Sequence, residues 1–505
     1  MFSKHVFFFP FKWNVKGHKG FDFTKQIDLS NLKPSAYSNW QRNLHPDEKD
    51  AKVLYDEKCY YYPFVRDVLY DTGKSDTLVY HFERRETKPD ANCCYHIKVN
   101  KGKEFVLKLD AINLNFYSTG VGMLTFYLRN DFYKDLDEIL AINQYGRRIF
   151  PPFFGAIDLK NRSEIAERLW IEGLDGDPER YEEDFSGYTV HDAWRPARFI
   201  RSLIEDFQSL LEIQSAIDDR MFVSCWYAND VLTQRFTSKP DDSSEFIAQQ
   251  EWDEFYGSEE EYKGLMAERF SQSKDWYRFL YVDANEPTCQ HEPMRRKLVA
   301  HDTYFRWAGS GSLYGVTRYS FMLLTGTGFY PEEILSKHVE TIYARMVEFV
   351  LIQKMSILKF SEAVTDVSNL KGKSDVVANR IGSLYKEYIR FMNQYYFKEV
   401  TAQDQGIELY QLLEEQMEIE ACAKDLDEEI SELHGYISLM NDEARNKKAE
   451  LLNIIAALVL PPTVIAGLFG MNAMSDMPDF AWQLLLIIAI TLGCLFIIRK
   501  KLWKF

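Results

Sequence analysis

The sequence predicts an α/β (α+β) N-terminal domain, a long coiled-coil-like stalk helix and a C-terminal two-helix transmembrane hairpin. Three observations carry that expectation: short apolar–polar alternations near the start, a heptad pattern over 409–444, and two almost uncharged apolar stretches at the end. They divide the chain into an α/β domain at 1–336 with an insertion near 237–300, a helical stalk region at 337–445, and a hairpin with a basic tail at 446–505.

A chain of 505 residues is too long for one compact core, so several structural units are expected. A mean hydropathy of −0.33 confines any membrane part to a minority of it. The net charge of −16 argues against a nucleic-acid partner, which needs a basic face to displace counterions. Seven cysteines without ligand or bridge spacing point to reduced thiols in a cytosolic setting. Met1-Phe-Ser-Lys-His-Val-Phe-Phe-Phe-Pro lacks a signal peptide's cleavage site and reads as a first strand, which keeps this end cytoplasmic.

Within 1–336, Thr77-Leu-Val-Tyr-His-Phe, Phe105-Val-Leu-Lys-Leu and Gly122-Met-Leu-Thr-Phe-Tyr-Leu read as strands. Helical periodicity appears around 162–172 and 196–217, and a further strand begins at Leu313. The polar, turn-rich stretch 237–300 reads as an excursion, partly helical with exposed loops. From about 337 the pattern is almost wholly helical, with a break at Lys371-Gly-Lys-Ser-Asp. Leu409, Leu412, Gln416, Ile419, Ala423, Leu426, Ile430, Leu433, Ile437, Met440 and Ala444 alternate steps of three and four. Such a seam suits a self-associating stalk, with packing inside one domain as the alternative.

Residues 451–475 carry no charge and 481–498 are almost wholly apolar, each long enough to span the hydrocarbon as a helix. Arg445, Lys447 and Lys448 precede the first stretch, and Arg499, Lys500, Lys501 and Lys504 follow the second. Positive flanks mark the cytoplasmic side, so both termini are expected inside an inner or plasma membrane with the short loop outside. Leu452, Ala456, Leu460, Thr463, Gly467 and Gly470 share one face of the first span. Small residues there suit close helix packing or a pore wall. Two spans cannot enclose a pore, so a channel requires an oligomer.

Asn446 through Asn472, ending Pro461-Pro-Thr-Val-Ile-Ala-Gly-Leu-Phe-Gly-Met-Asn, resembles the pore helix of the CorA family of divalent-cation channels. Gly470-Met471-Asn472 matches that family's signature at the outer mouth, and Met477-Pro478-Asp479 its following Met-Pro-acid step, one residue late. The resemblance implies a homopentamer that passes Mg²⁺. It places Asn446, Leu452, Leu460, Thr463 and Asn472 along the pore, with Gly470 and Met471 completing the mouth and Asn472 touching the ion. Neutral amide oxygens suit an ion that keeps its waters. The chain departs from the family in its longer soluble domain, and the family's intracellular metal-sensing acids have no counterpart by spacing.

Other constellations are weaker. Gly309-Ser-Gly-Ser-Leu-Tyr-Gly315 does not fit a dinucleotide fingerprint and reads as a hairpin-type loop. Cys289, His291 and His301 are scattered, and no catalytic arrangement stands out, so no enzyme is expected. Arg147 and Arg148, beside Gly146 and Tyr145, suit a phosphate contact on an exposed loop, with a solvated turn as the alternative reading. Some long CorA-like proteins accompany type III CRISPR systems as membrane effectors linked to SAM-AMP, and the enlarged domain resembles that class. Three functions remain: a Mg²⁺ channel, a channel-like effector gated by a nucleotide second messenger, and a non-conducting membrane-tethered binding protein.

Overall fold

In the computed structural model the described residues are 1–15, 38–45, 57–74, 77–87, 92–99, 102–150, 166–187, 195–208, 211–215, 219–237, 273–369 and 374–472, with single positions from 482 to 496. The chain forms two compact units, Met1–Asn369 with Ser383–Asp427, and Leu370–Gly382 with Glu428–Phe505.

The first unit is built on a mixed sheet. In chain order its strands are β1 (Ser3–Val15), β2 (Trp40–Arg42), β3 (Val79–Arg84), β4 (Cys94–Val99), β5 (Glu104–Tyr117), β6 (Val121–Asn130) and β7 (Ala166–Glu172). They continue with β8 (Glu182–Asp184), β9 (Leu211–Ser215), β10 (Phe222–Ala228), β11 (Thr303–Tyr304), β12 (Ser312–Thr317) and β13 (Ser320–Thr325). The spatial order is β11-β12-β13-β10-β1-β6-β5-β4-β7-β8, with β9 also on β1, β3 also on β5, and β2 on β3. β10 and β13 pair in parallel, while the remaining described pairs are antiparallel.

The first strand is central, as its aromatic run requires. Phe7, Phe9, Phe11 and Trp13 alternate into the main core, and Val6 and Phe8 are buried as well. Pro10 is tolerated because β1 changes partners there: β10 pairs with Ser3–Phe8 and β9 with Phe11–Val15.

Four helices matter on this sheet: α1 (Leu136–Gly146), α2 (Arg198–Gln208), α3 (Lys274–Tyr281) and α4 (Glu292–Asp302). Ile139, Ile142, Phe199, Leu203, Phe207, Trp276 and Phe279 from the first three enter the same core. Against β1 and β6 lies α5 (Ile342–Ser368), buried on nearly every side. Three helices follow: α6 (Ser374–Gln394), α7 (Asp404–Gln416) and α8 (Ile419–Asn472).

The structure corrects four expectations. The helical stretch at 162–172 holds strand β7, where Leu169 and Ile171 face the core between β4 and β8. The stretch at 196–217 is a helix only to Gln208 and then becomes β9. The end of the supposed excursion is core: α3 packs so closely on β12 that a Cβ at Gly315 would lie 2.3 Å from Leu280 Cδ1. Its middle, 238–272, lies outside the described residues. The heptad seam is not one helix, because Glu418 at φ 53° separates α7 from α8. Leu409, Ile419, Ala423 and Leu426 are buried within the chain itself, α7 packs on α5, and Lys354 Nζ of α5 lies 3.0 Å from Cys422 Sγ of α8. This part of the seam is intramolecular.

Candidate functional site

The residues matched to a pore lie on α8, which continues without interruption to Asn472. Asn446, Leu452, Leu460 and Thr463 are exposed in the single chain. Gly470, Met471 and Asn472 form the last positions of the helix, and their side chains lie outside the described residues. Leu451, Leu452, Ile455, Val459, Leu460 and Val464 are all about half exposed or more, which leaves apolar side chains on several sides of one helix. In water such a surface is unstable, and another phase or another chain must cover it.

Pro461 and Pro462 sit inside this helix and remove two of its backbone donors. Thr463 Oγ1 donates to Val459 O at 2.7 Å and lies 2.9 Å from Leu460 O, so its hydroxyl engages the adjacent carbonyls. Among the described residues alone, no helix is long and apolar enough to cross a membrane. Several side chains of 458–472 and most of 473–505 lie outside them, including the second apolar stretch.

A different chemistry appears in the first unit. The expectation of an exposed loop at Arg147 and Arg148 is overturned, because both are buried, at 2% and 6% exposure. The reason is a pairing across the chain. The segment after α1 runs antiparallel to residues 219–221, with Ile149 N donating to Asp219 O at 2.9 Å and Met221 N to Arg147 O at 2.8 Å. An isolated bridge joins Arg148 to Arg220. Arg148 Nη1 is ion-paired with Asp219, and Arg220 Nε reaches the same carboxylate at 2.9 Å.

Arg147 is placed differently. Among the described residues its hydrogen bond is from Nη1 to Tyr319 O, long at 3.4 Å, and its Nε has no partner. Burial, followed by repulsion from Arg220 and Arg148, holds its proton affinity well below the usual guanidinium value. Asp219, Arg220 and Tyr319 were not legible as site residues. For Asp219 and Arg220 the signal is the acid–acid–base run at 218–220, and Tyr319 carries none.

The remaining candidates do not converge. His291 caps α4 by accepting from Met294 N at 3.3 Å, Cys289 Sγ turns to His291 O, and His301 pairs with Asp302 and Glu415. Among the described residues no group of three or more His, Cys, Asp or Glu side chains is placed to hold a metal. The glycine-rich loop at 309–315 is a short helical turn, with Gly311 left-handed at φ 78°, leading into β12. Residues 331–500 match the family described as CorA-like Mg2+ transporter protein. No curated protein matches the chain.

Proposed function

We propose, from the match of residues 331–500 to the family described as CorA-like Mg2+ transporter protein, that the chain is a divalent-cation channel assembled from five copies. The observation that carries this reading is α8: its uncharged, outward-facing stretch from 451 onward needs lipid on one side and other copies on another. In the proposed assembly the first apolar stretch lines the pore and the second, 481–498, stands outside it. Leu452 and Leu460 form apolar constrictions that close by dewetting, and Thr463 and Asn472 offer neutral oxygens to a hydrated ion. An all-neutral wall avoids burying a charge at membrane depth. Both termini lie on the cytoplasmic side, and no catalytic step is involved.

The test uses the full chain in liposomes with a Mg²⁺ indicator. Asn472→Ala is expected to abolish flux while the oligomer, weighed in detergent, keeps the mass of five chains. A cysteine at Ser475 should label from outside and one at Lys504 should not. Wild-type flux in an intact Asn472→Ala assembly, or a monomer by mass, overturns the reading.

A second reading is favoured by one specific observation, the under-compensated buried Arg147. On this reading the soluble domain takes up an anionic adenine-nucleotide conjugate of the SAM-AMP kind through the Arg147–Arg148 region, and the channel scaffold acts as a nucleotide-gated effector of a type III CRISPR system. Calorimetry with such a conjugate and with simple nucleotides tests it. No binding at millimolar concentration returns the protein to plain cation transport.

A further inference from the structure

We propose that Arg147 and Arg220 form the seat of a phosphate-type oxyanion beneath the β12–β13 turn, while Arg148 is a positioning residue held off the ligand by Asp219. The proposal deepens the second reading above and rests on its ligand class.

Three guanidinium groups are brought together by the pairing of 147–149 with 219–221. The carboxylate bound among them is Asp219, and it is already engaged by Arg148 and by Arg220 Nε. A second acid, Asp283, interacts with Arg147 only through space, because its Oδ2 accepts from Thr288 N and Oγ1 at 2.8 Å each. Arg147 therefore carries a buried positive charge with a weak partner. The Tyr319 carbonyl that it reaches at 3.4 Å also accepts from Val223 N at 3.1 Å.

A buried cation in this state is costly, and an anion that brings its own charge removes the cost. Guanidinium forks match tetrahedral oxyanions because two N–H groups meet two oxygens at once. The other member of the seat is more accessible. The Arg220 side chain is 30% exposed, with its guanidinium 5.1 Å from the centre of the Tyr319 ring, which is itself 39% exposed. Tyr319 and Arg220 thus form the mouth, and Arg147 the floor.

The same turn reaches the long helix. Arg318, beside Tyr319, lies 3.8 Å from Glu418, the left-handed residue directly before α8. An anion that draws Arg220 and Tyr319 together acts on the turn that also holds the entry to that helix.

The experiment uses the full chain in detergent, with inorganic phosphate and ATP as probes and chloride at matched ionic strength as control. Thermal unfolding and calorimetry are both read. Phosphate or ATP is expected to raise the Tm of the wild type. Arg147→Met should raise the Tm without any anion, because an under-paired cation is gone, and should weaken anion binding about tenfold or more. Arg220→Ala, on a partly exposed side chain, should keep the fold and also weaken binding. A purely structural Arg147 gives the opposite sign: a lower Tm for Arg147→Met in the absence of anion overturns the seat. Binding of phosphate without binding of ATP upholds the seat and sinks the nucleotide reading. ATP binding that survives both substitutions sinks the seat and leaves the nucleotide reading standing. Absence of any anion effect on the wild type removes both.

Discussion

Lys359 offers the sharpest quantitative test of how α5 is held. Its side chain is 3% exposed, and its Nζ donates to Thr119 O at 3.1 Å and Gly120 O at 3.0 Å, with Trp13 O at 3.4 Å. Burial, with Lys12 as a further positive neighbour, lowers its pKa from 10.5 to about 7. The unfolded chain therefore binds more protons than the folded one between about pH 7 and 10.5, and stability rises with pH through that window. Below pH 7 the full penalty is present, about 4–5 kcal/mol at 1.36 kcal/mol per pH unit. Lys359→Met removes the charge at the expense of hydrogen bonds worth about 1–2 kcal/mol together. The variant should be about 3 kcal/mol more stable than wild type at pH 6 and slightly less stable near pH 10, with the curves crossing between about pH 9 and 10. Denaturant unfolding of the full chain in detergent at several pH values measures this. Parallel stability curves for the two proteins from pH 6 to 10 would refute the reasoning, since a lysine charged throughout gives no crossing.

Two neighbouring sites give further checks. At Gly120 (φ 75°) a Cβ would lie 1.7 Å from Lys359 Nζ, so Gly120→Ala should cost about 2–3 kcal/mol through backbone strain and displacement of the ammonium. Combined with Lys359→Met it should cost less than the sum, and strict additivity in a double-mutant cycle contradicts the contact. Glu348, 1% exposed, accepts from Asn115 Nδ2, from Tyr117 OH at 2.7 Å and from Arg345 Nη1 at 3.1 Å. Glu348→Gln leaves the Arg345 charge poorly compensated and should destabilise the fold by about 3–5 kcal/mol, read as a lower denaturant midpoint. A midpoint unchanged from wild type removes Glu348 as the partner of Arg345.

What the sequence determined by itself is what depends on near neighbours along the chain. The aromatic run at the start makes β1 a strand, the helical character from about 337 onward appears as α5 to α8, and the uncharged stretch from 451 falls within α8. The tertiary structure decided whatever depends on a distant partner. Residues 166–172 are a strand because β4 and β8 offer backbone donors and acceptors on both sides. The seam at 409–426 closes on its own chain, in part because α5 lies within reach before any second copy does. Arg147 and Arg148 look alike in sequence, yet Asp219 neutralises one and leaves the other under-paired. Charge compensation is a short-range effect in space between residues far apart in sequence, so only the folded chain determines which arginine remains available to an anion.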